Sequence, residues 1–182
     1  VRPPLPAPVI KVKKSNFLTT IFQLYLEKYD IRKFKNNFFY YLLFRIIRNF
    51  LSYDLVIKIY NFKVYGSIKK NKTSYFLLKK CEFGDYHELN TIKKLSKEGK
   101  LLFLDCGCNY GFYSLYTASL SEKNKILSVE ASKNTLEEFI KNLNLNNLKN
   151  INFFNNAVSS VVGEDVLFHE SINDWESSQT HR

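Results

Sequence analysis

Apolar and polar positions alternate with different periods in successive stretches of the chain. Residues 55–68, LVIKIYNFKVYGSI, place apolar side chains at every second position, with a break at Asn61. That is the spacing of strands with one buried face, so the stretch predicts two short strands joined near Asn61. The apolar run at 75–80 predicts a third. Residues 84–99, GDYHELNTIKKLSKEG, change period. Tyr86, Leu89, Ile92 and Leu95 recur every three residues, and Gly99 supplies a stop. A helix over 84–98 follows.

From residue 101 the pattern becomes regular. LLFLD (101–105) reads as a buried strand and YGFYSLYTASLS (110–121) as a helix. KILSVEAS (125–132) reads as a second buried strand ending in an acid, and NTLEEFIKNLNLNNL (134–148) as a second helix. INFFNNAVS (151–159) and EDVLFHES (164–171) read as further strands. Strand–helix–strand–helix–strand predicts an α/β chain with a Rossmann-like, doubly wound, mainly parallel sheet.

Ahead of these strands, residues 15–52 read as a helical N-terminal extension. Its densest part, NFFYYLLFRIIRNFL, is interrupted by Arg45 and Arg48. A membrane span needs about 20 mostly uncharged residues, so this segment is too short to cross. Two readings stay open. The segment can pack as helices on the domain that follows. It can also lie on a membrane surface, with Lys33, Lys35, Arg45 and Arg48 toward anionic lipid and Phe38, Phe39, Leu42 and Ile46 in the interface. Residues 1–14, proline-rich and then basic, read as an extended leader without the apolar core of a signal peptide.

Composition changes this picture in three ways. At 182 residues and 45% hydrophobic content, one sizeable core is affordable. A net charge of +10 admits anionic partners or a solvated basic face. The three cysteines, Cys81, Cys106 and Cys108, have no framework spacing. They suit reduced thiols in a cytoplasmic protein, and too few ligands cluster for a structural zinc site, so no metal is expected. The chain holds no methionine and reads as a piece of a longer protein.

The candidate chemistry lies in FLDCGCNYGFYSL, residues 103–115. A glycine turn between a strand and a helix brings backbone N–H groups close to a ligand. The dinucleotide pattern G-x-G-x-x-G fits poorly, because Asn109 and Phe112 stand where its later glycines belong. A P-loop fails, because Phe112 and Tyr113 follow Gly111 in place of Lys-Ser/Thr. A tight turn without a ligand stays open. Glu130 ends the next strand about 20 residues beyond Gly107, where an acid can accept hydrogen bonds from ribose hydroxyls.

Asp105, Gly107, Asn109 and Gly111 form Asp-x-Gly-x-Asn-x-Gly, which resembles motif I of the class I S-adenosylmethionine-dependent methyltransferases. With the aromatic pair and Ser114, then Glu130, then Asn156-Ala157-Val158-Ser159 and Gly163, the stretch from 84 to 170 is similar to the FkbM family. Residues 53–182 would then be a partial methyltransferase domain, with strands over 55–80, a helix over 84–98 and a cofactor core over 101–170. The resemblance implies S-adenosyl-L-methionine as methyl donor and O-methylation of a sugar, glycolipid or related small molecule. It implies that Asp105, Gly107 and Asn109 hold the methionine end, Glu130 the ribose, and Asn156 with Ala157 the adenine region, with Gly111 a further cofactor-binding residue of the motif. Glu88 and His87, just ahead of the turn, are candidates for a general base. The family's later strands, one with Asp-x-Glu-Gly, have no counterpart after residue 171, which fits a chain lacking them. Two other readings remain: a basic, non-catalytic module binding anionic membrane or nucleic acid, and a nicotinamide-dependent oxidoreductase. No recognised nucleic-acid motif accompanies the basic residues.

Overall fold

The structure is a computed structural model that describes residues 17–48, 55–66, 72–161, 163, 167–169 and 178–180. The expected leader at 1–14 lies outside these residues. The first helix, α1 (Phe17–Lys28), leads through a 3-10 turn (Ile31–Phe34) into α2 (Phe38–Ile47). Asp30 caps the turn by accepting from the Arg32 N–H, and Asn37 caps α2 by accepting from the Tyr40 N–H.

The hairpin follows. Strands β1 (Leu55–Ile59) and β2 (Phe62–Gly66) pair antiparallel, with Ile59 opposite Phe62 across a two-residue turn. Burial alternates along both, so the period read from the sequence is the period of the fold. A lone hairpin has two free edges, and side-chain amides close both. On β1, the Gln23 side chain of α1 bonds both the N–H and the carbonyl of Val56. On β2, Asn142 Oδ1 accepts from the Tyr65 N–H and Asn146 Oδ1 from the Lys63 N–H, each at 2.7 Å.

Among the described residues, no third strand joins this pair. Residues 72–80 form a helix, α3 (Lys72–Lys80), correcting the strand expected over 75–80. Leu77, Leu78 and Cys81 are buried while Phe76, Lys79 and Lys80 are exposed, which is a helical face and not an alternation. Both hairpin edges are also already occupied.

The helix α4 (Tyr86–Glu98) then precedes the parallel unit: β3 (Leu102–Cys106), α5 (Phe112–Leu120), β4 (Lys125–Val129), α6 (Lys133–Asn146) and β5 (Ile151–Phe154). Strand order is β3-β4-β5, with Asp105 opposite Ser128 and Ser128 opposite Phe153. The chain is therefore mixed α/β around a parallel three-stranded sheet. Strands β6 (Leu167–His169) and β7 (Ser178–Thr180) pair with each other and not with this sheet. The strand expected over 164–171 thus exists in part, but elsewhere than the parallel sheet.

Both crossover helices cover the same face. Ser114 of α5 bonds Asp105 and Ser128, and Phe139 of α6 packs edge-on against Phe153. Asp105, Ser128 and Phe153 share that face by register. Strands that advance in one direction, joined by right-handed crossovers, put their helices on one side; a second layer needs a reversal of strand order. The described residues hold no such reversal, so the doubly wound arrangement is not found among them. For the same reason β3 is not a buried strand as expected. Leu102 and Leu104 point to the other face and are 77% and 57% exposed.

One apolar cluster runs through the described elements, from Phe22 and Leu26 of α1, through Ile57, Ile59 and Phe62 of the hairpin, to Leu115 of α5 and Phe139 of α6. The N-terminal helices and the parallel unit therefore share a core, with the hairpin between them.

Candidate functional site

The turn after β3 sits at the carboxyl ends of the parallel strands, where ligands of open α/β sheets bind. It is a chain of left-handed residues: Gly107 at φ 76°, Asn109 at φ 52° and Gly111 at φ 78°. At Gly111 the requirement is double, because a Cβ there would overlap the buried ring of Phe139. At Gly107 only the backbone angle demands glycine, since nothing lies within 4 Å of an added Cβ. That open space is where a ligand can approach the backbone.

The turn is closed onto β4. The Gly107 and Cys108 N–H groups both donate to the Val129 carbonyl, at 2.8 and 3.0 Å. The Gly111 N–H donates to the Cys108 carbonyl at 2.8 Å. The Asn109 N–H donates to Glu130 Oε2 at 2.9 Å, and the Ser132 N–H donates to Glu130 Oε1 at 2.9 Å. Glu130 thus holds the turn to the end of its own strand. The sequence spacing finds the acid, but not this use of both its oxygens.

Asp105, next to last in β3, lies on the covered face and is 9% exposed. The Ser114 hydroxyl donates to its Oδ2, and the same hydroxyl lies 2.7 Å from the Ser128 hydroxyl. Burial raises the Asp105 carboxyl above its ordinary value; the Ser114 hydroxyl and N–H oppose this, and the Glu130 charge adds to it. Glu130 is 8% exposed and lies two positions beyond Ser128, the partner of Asp105 in register. Two buried carboxylates therefore stand at the ends of adjacent strands. Cys108, buried next to them, has its thiol pushed upward by burial and by both acids, and is no candidate thiolate nucleophile.

His87 and Glu88 occupy the exposed first turn of α4. From the same region Asp85, which the sequence reading passed over, reaches the first turn of α5: Tyr113 Oη donates to Asp85 Oδ2 at 2.6 Å. Burial, this bond, and the charges of Asp85, Glu88 and Asp105 all hold the Tyr113 phenol above its usual range. Glu88 thus belongs to the electrostatic surroundings of Tyr113. The His87 ring meets its neighbour Tyr86 edge-on, with centroids 5.6 Å apart.

Asn156 and Ala157 lie in the coil beyond β5, Asn156 exposed and Ala157 half-buried. The asparagine that reaches the site is Asn155, whose Nδ2 donates to the carbonyls of Glu130 and Ala131 at 2.8 and 3.0 Å. Asn142 of α6 was also missed. Its Nδ2 donates to the Tyr110 carbonyl at 3.0 Å while its Oδ1 holds β2, so it ties the turn to the hairpin. A signal existed: Asn142 falls in register with the buried Leu136 and Phe139. At the opposite, amino ends of the strands lies a cleft of about 440 Å³ lined by Lys100, Lys123, Lys125 and Lys149. It is remote from both acids.

The donor set discriminates between ligand classes. Two buried carboxylates, with no Lys or Arg in residues 101–122, suit a cation and hydroxyl groups. They oppose a pyrophosphate, which a dinucleotide would bring. The Phe112 and Tyr113 N–H groups start α5 without a side-chain cap from Gly111, and so offer a carboxylate the positive end of a helix. Ammonium, carboxylate and ribose hydroxyls are among the polar groups of S-adenosylmethionine, and these residues fit those three.

Among the described residues, no helix is long and apolar enough to cross a membrane. No family model matches the chain, and no curated protein matches it. Among solved structures the chain is similar to a SAM-dependent methyltransferase from Agrobacterium tumefaciens, at 14% identity and a TM-score of 0.46, over 57% of this chain and only 32% of that one.

Proposed function

We propose that this chain carries the cofactor half-site of an S-adenosyl-L-methionine-dependent methyltransferase. The observation that carries the reading is the pair of buried acids, Asp105 and Glu130, at the ends of adjacent parallel strands and flanking a left-handed glycine turn. When bound, the sulfonium of the cofactor supplies an activated methyl group for in-line attack by a nucleophile. Asp105 would accept from the ammonium, steadied by Ser114. Glu130 would accept from ribose hydroxyls through lone pairs not used by the Asn109 and Ser132 N–H groups. Gly107 admits the ligand to the backbone, and Asn156 with Ala157 would border the adenine. Glu88 and His87 remain the candidates for drawing a proton from the acceptor.

The finer assignment rests on the sequence resemblance: the FkbM family, and O-methylation of a sugar, glycolipid or related hydroxyl compound. A nicotinamide cofactor is the poorer fit, because Asp105 would face its phosphates. Hydrogen exchange tests the reading. S-adenosylhomocysteine, the demethylated product, should slow amide exchange at residues 105–114 and 130–132 and leave β1 and β2 unchanged. Protection confined to other elements would overturn the assignment of this site.

A further inference from the structure

We infer that α2 is a docking face for an anionic lipid surface. This goes beyond the cofactor reading and does not depend on it.

Helix α2 is apolar on two opposite sides. Tyr40 and Phe44 are buried and hold the helix on the protein, with the Tyr40 hydroxyl donating to the Leu78 carbonyl at 2.7 Å. The other side carries Phe38, Phe39, Leu42, Leu43 and Ile46, all exposed, with Phe38 at 71% and Phe39 at 78%. At 3.6 residues per turn these five span an arc of about 140°, centred nearly opposite the buried stripe. The core needs only the first side, so the second is unpartnered among the described residues.

Charge names the occupant. Residues 31–53 contain Arg32, Lys33, Lys35, Arg45 and Arg48 and no acid. Arg32 pairs with Asp30 and Lys35 with Glu82, while no described carboxylate pairs with Lys33, Arg45 or Arg48. Arg45 borders the exposed arc. An apolar arc beside unpaired cations is the pattern of a helix lying in the interface of an anionic bilayer. The helix is already formed and capped by Asn37, so docking need not order it. A second copy is the poorer occupant, because a two-fold contact through this face would bring the same cations together. Nucleic acid is poorer still, since only Phe38 and Phe39 offer rings for stacking and the rest of the arc, Leu42, Leu43 and Ile46, is aliphatic.

Flotation with phosphatidylcholine vesicles, with and without phosphatidylserine, tests this. The chain should float with the phosphatidylserine vesicles, and added salt should weaken the binding. Phe39→Ser combined with Leu42→Ser should lower binding by more than about tenfold. Both sites are exposed, so circular dichroism should show an unchanged fold. Arg45→Gln with Arg48→Gln should remove most of the preference for phosphatidylserine. A folded chain that ignores these vesicles, or binds them equally well after the serine changes, would overturn the inference. So would sedimentation showing a dimer that the serine changes dissolve while vesicle binding persists.

Discussion

Gly111→Ala puts a methyl group where the turn has neither the angle nor the space for it. The residue sits at φ 78° ahead of α5, and the new Cβ overlaps the ring of Phe139, which is fully buried. Two costs add. Holding alanine in the left-handed region costs about 1–2 kcal/mol. Forcing a methyl group against a packed ring costs about 1–3 kcal/mol. The sum is roughly 2–5 kcal/mol. Gly107 is the internal control: φ is 76° and nothing lies within 4 Å, so Gly107→Ala incurs only the first cost. A chain of this size loses about 2–4 °C of Tm per kcal/mol. Gly111→Ala should therefore lower Tm by roughly 4–20 °C and Gly107→Ala by roughly 2–8 °C. Thermal and urea unfolding followed by circular dichroism read both. In a Phe139→Ala background the penalty of Gly111→Ala should fall to that of Gly107→Ala. Equal losses at the two glycines, or a Gly111 penalty indifferent to Phe139, would refute the packing of α6 against this turn.

Two further outcomes follow from the buried polar groups. Burial raises the Asp105 carboxyl above the ordinary 3.8, so the folded chain holds that proton more tightly than the unfolded chain. The resulting stability is present at low pH and is lost as pH rises through the raised value. Asp105→Asn, which can still accept from Ser114, should match or exceed the parent in urea midpoint at neutral pH and lose that advantage near the ordinary carboxyl value; a deficit of constant size across this range would contradict the burial argument. Asn142→Ala removes the bonds that Asn142 makes to the Tyr65 N–H and the Tyr110 carbonyl, and should cost about 1–3 kcal/mol with faster exchange at Tyr65; unchanged exchange there would show that α6 does not hold the hairpin edge.

The local periods were legible in the sequence. The hairpin at Asn61, the helix ending before Gly99 and the order from β3 to β5 all follow from spacing that each segment carries in itself. Residues 75–80 were not legible, because Tyr75-Phe76-Leu77-Leu78 is too short an apolar run to show a period. The apolar run of β3 suggested burial on both faces, but burial depends on what covers the strand, and the described helices cover one side. At the site, spacing found Asp105 and Glu130. It could not show that Glu130 spends both oxygens on backbone N–H groups, that Tyr113 reaches Asp85, or that Asn155 and not its neighbour Asn156 ties to the end of β4. Those are long-range pairings, fixed only once the strands lie side by side.

The most direct test of the account is calorimetric titration of the chain with S-adenosylhomocysteine and, separately, with NAD. The first should bind and the second should not, with binding lost in Asp105→Ala while the fold persists. Binding of NAD alone, or S-adenosylhomocysteine binding that survives Asp105→Ala undiminished, would contradict it.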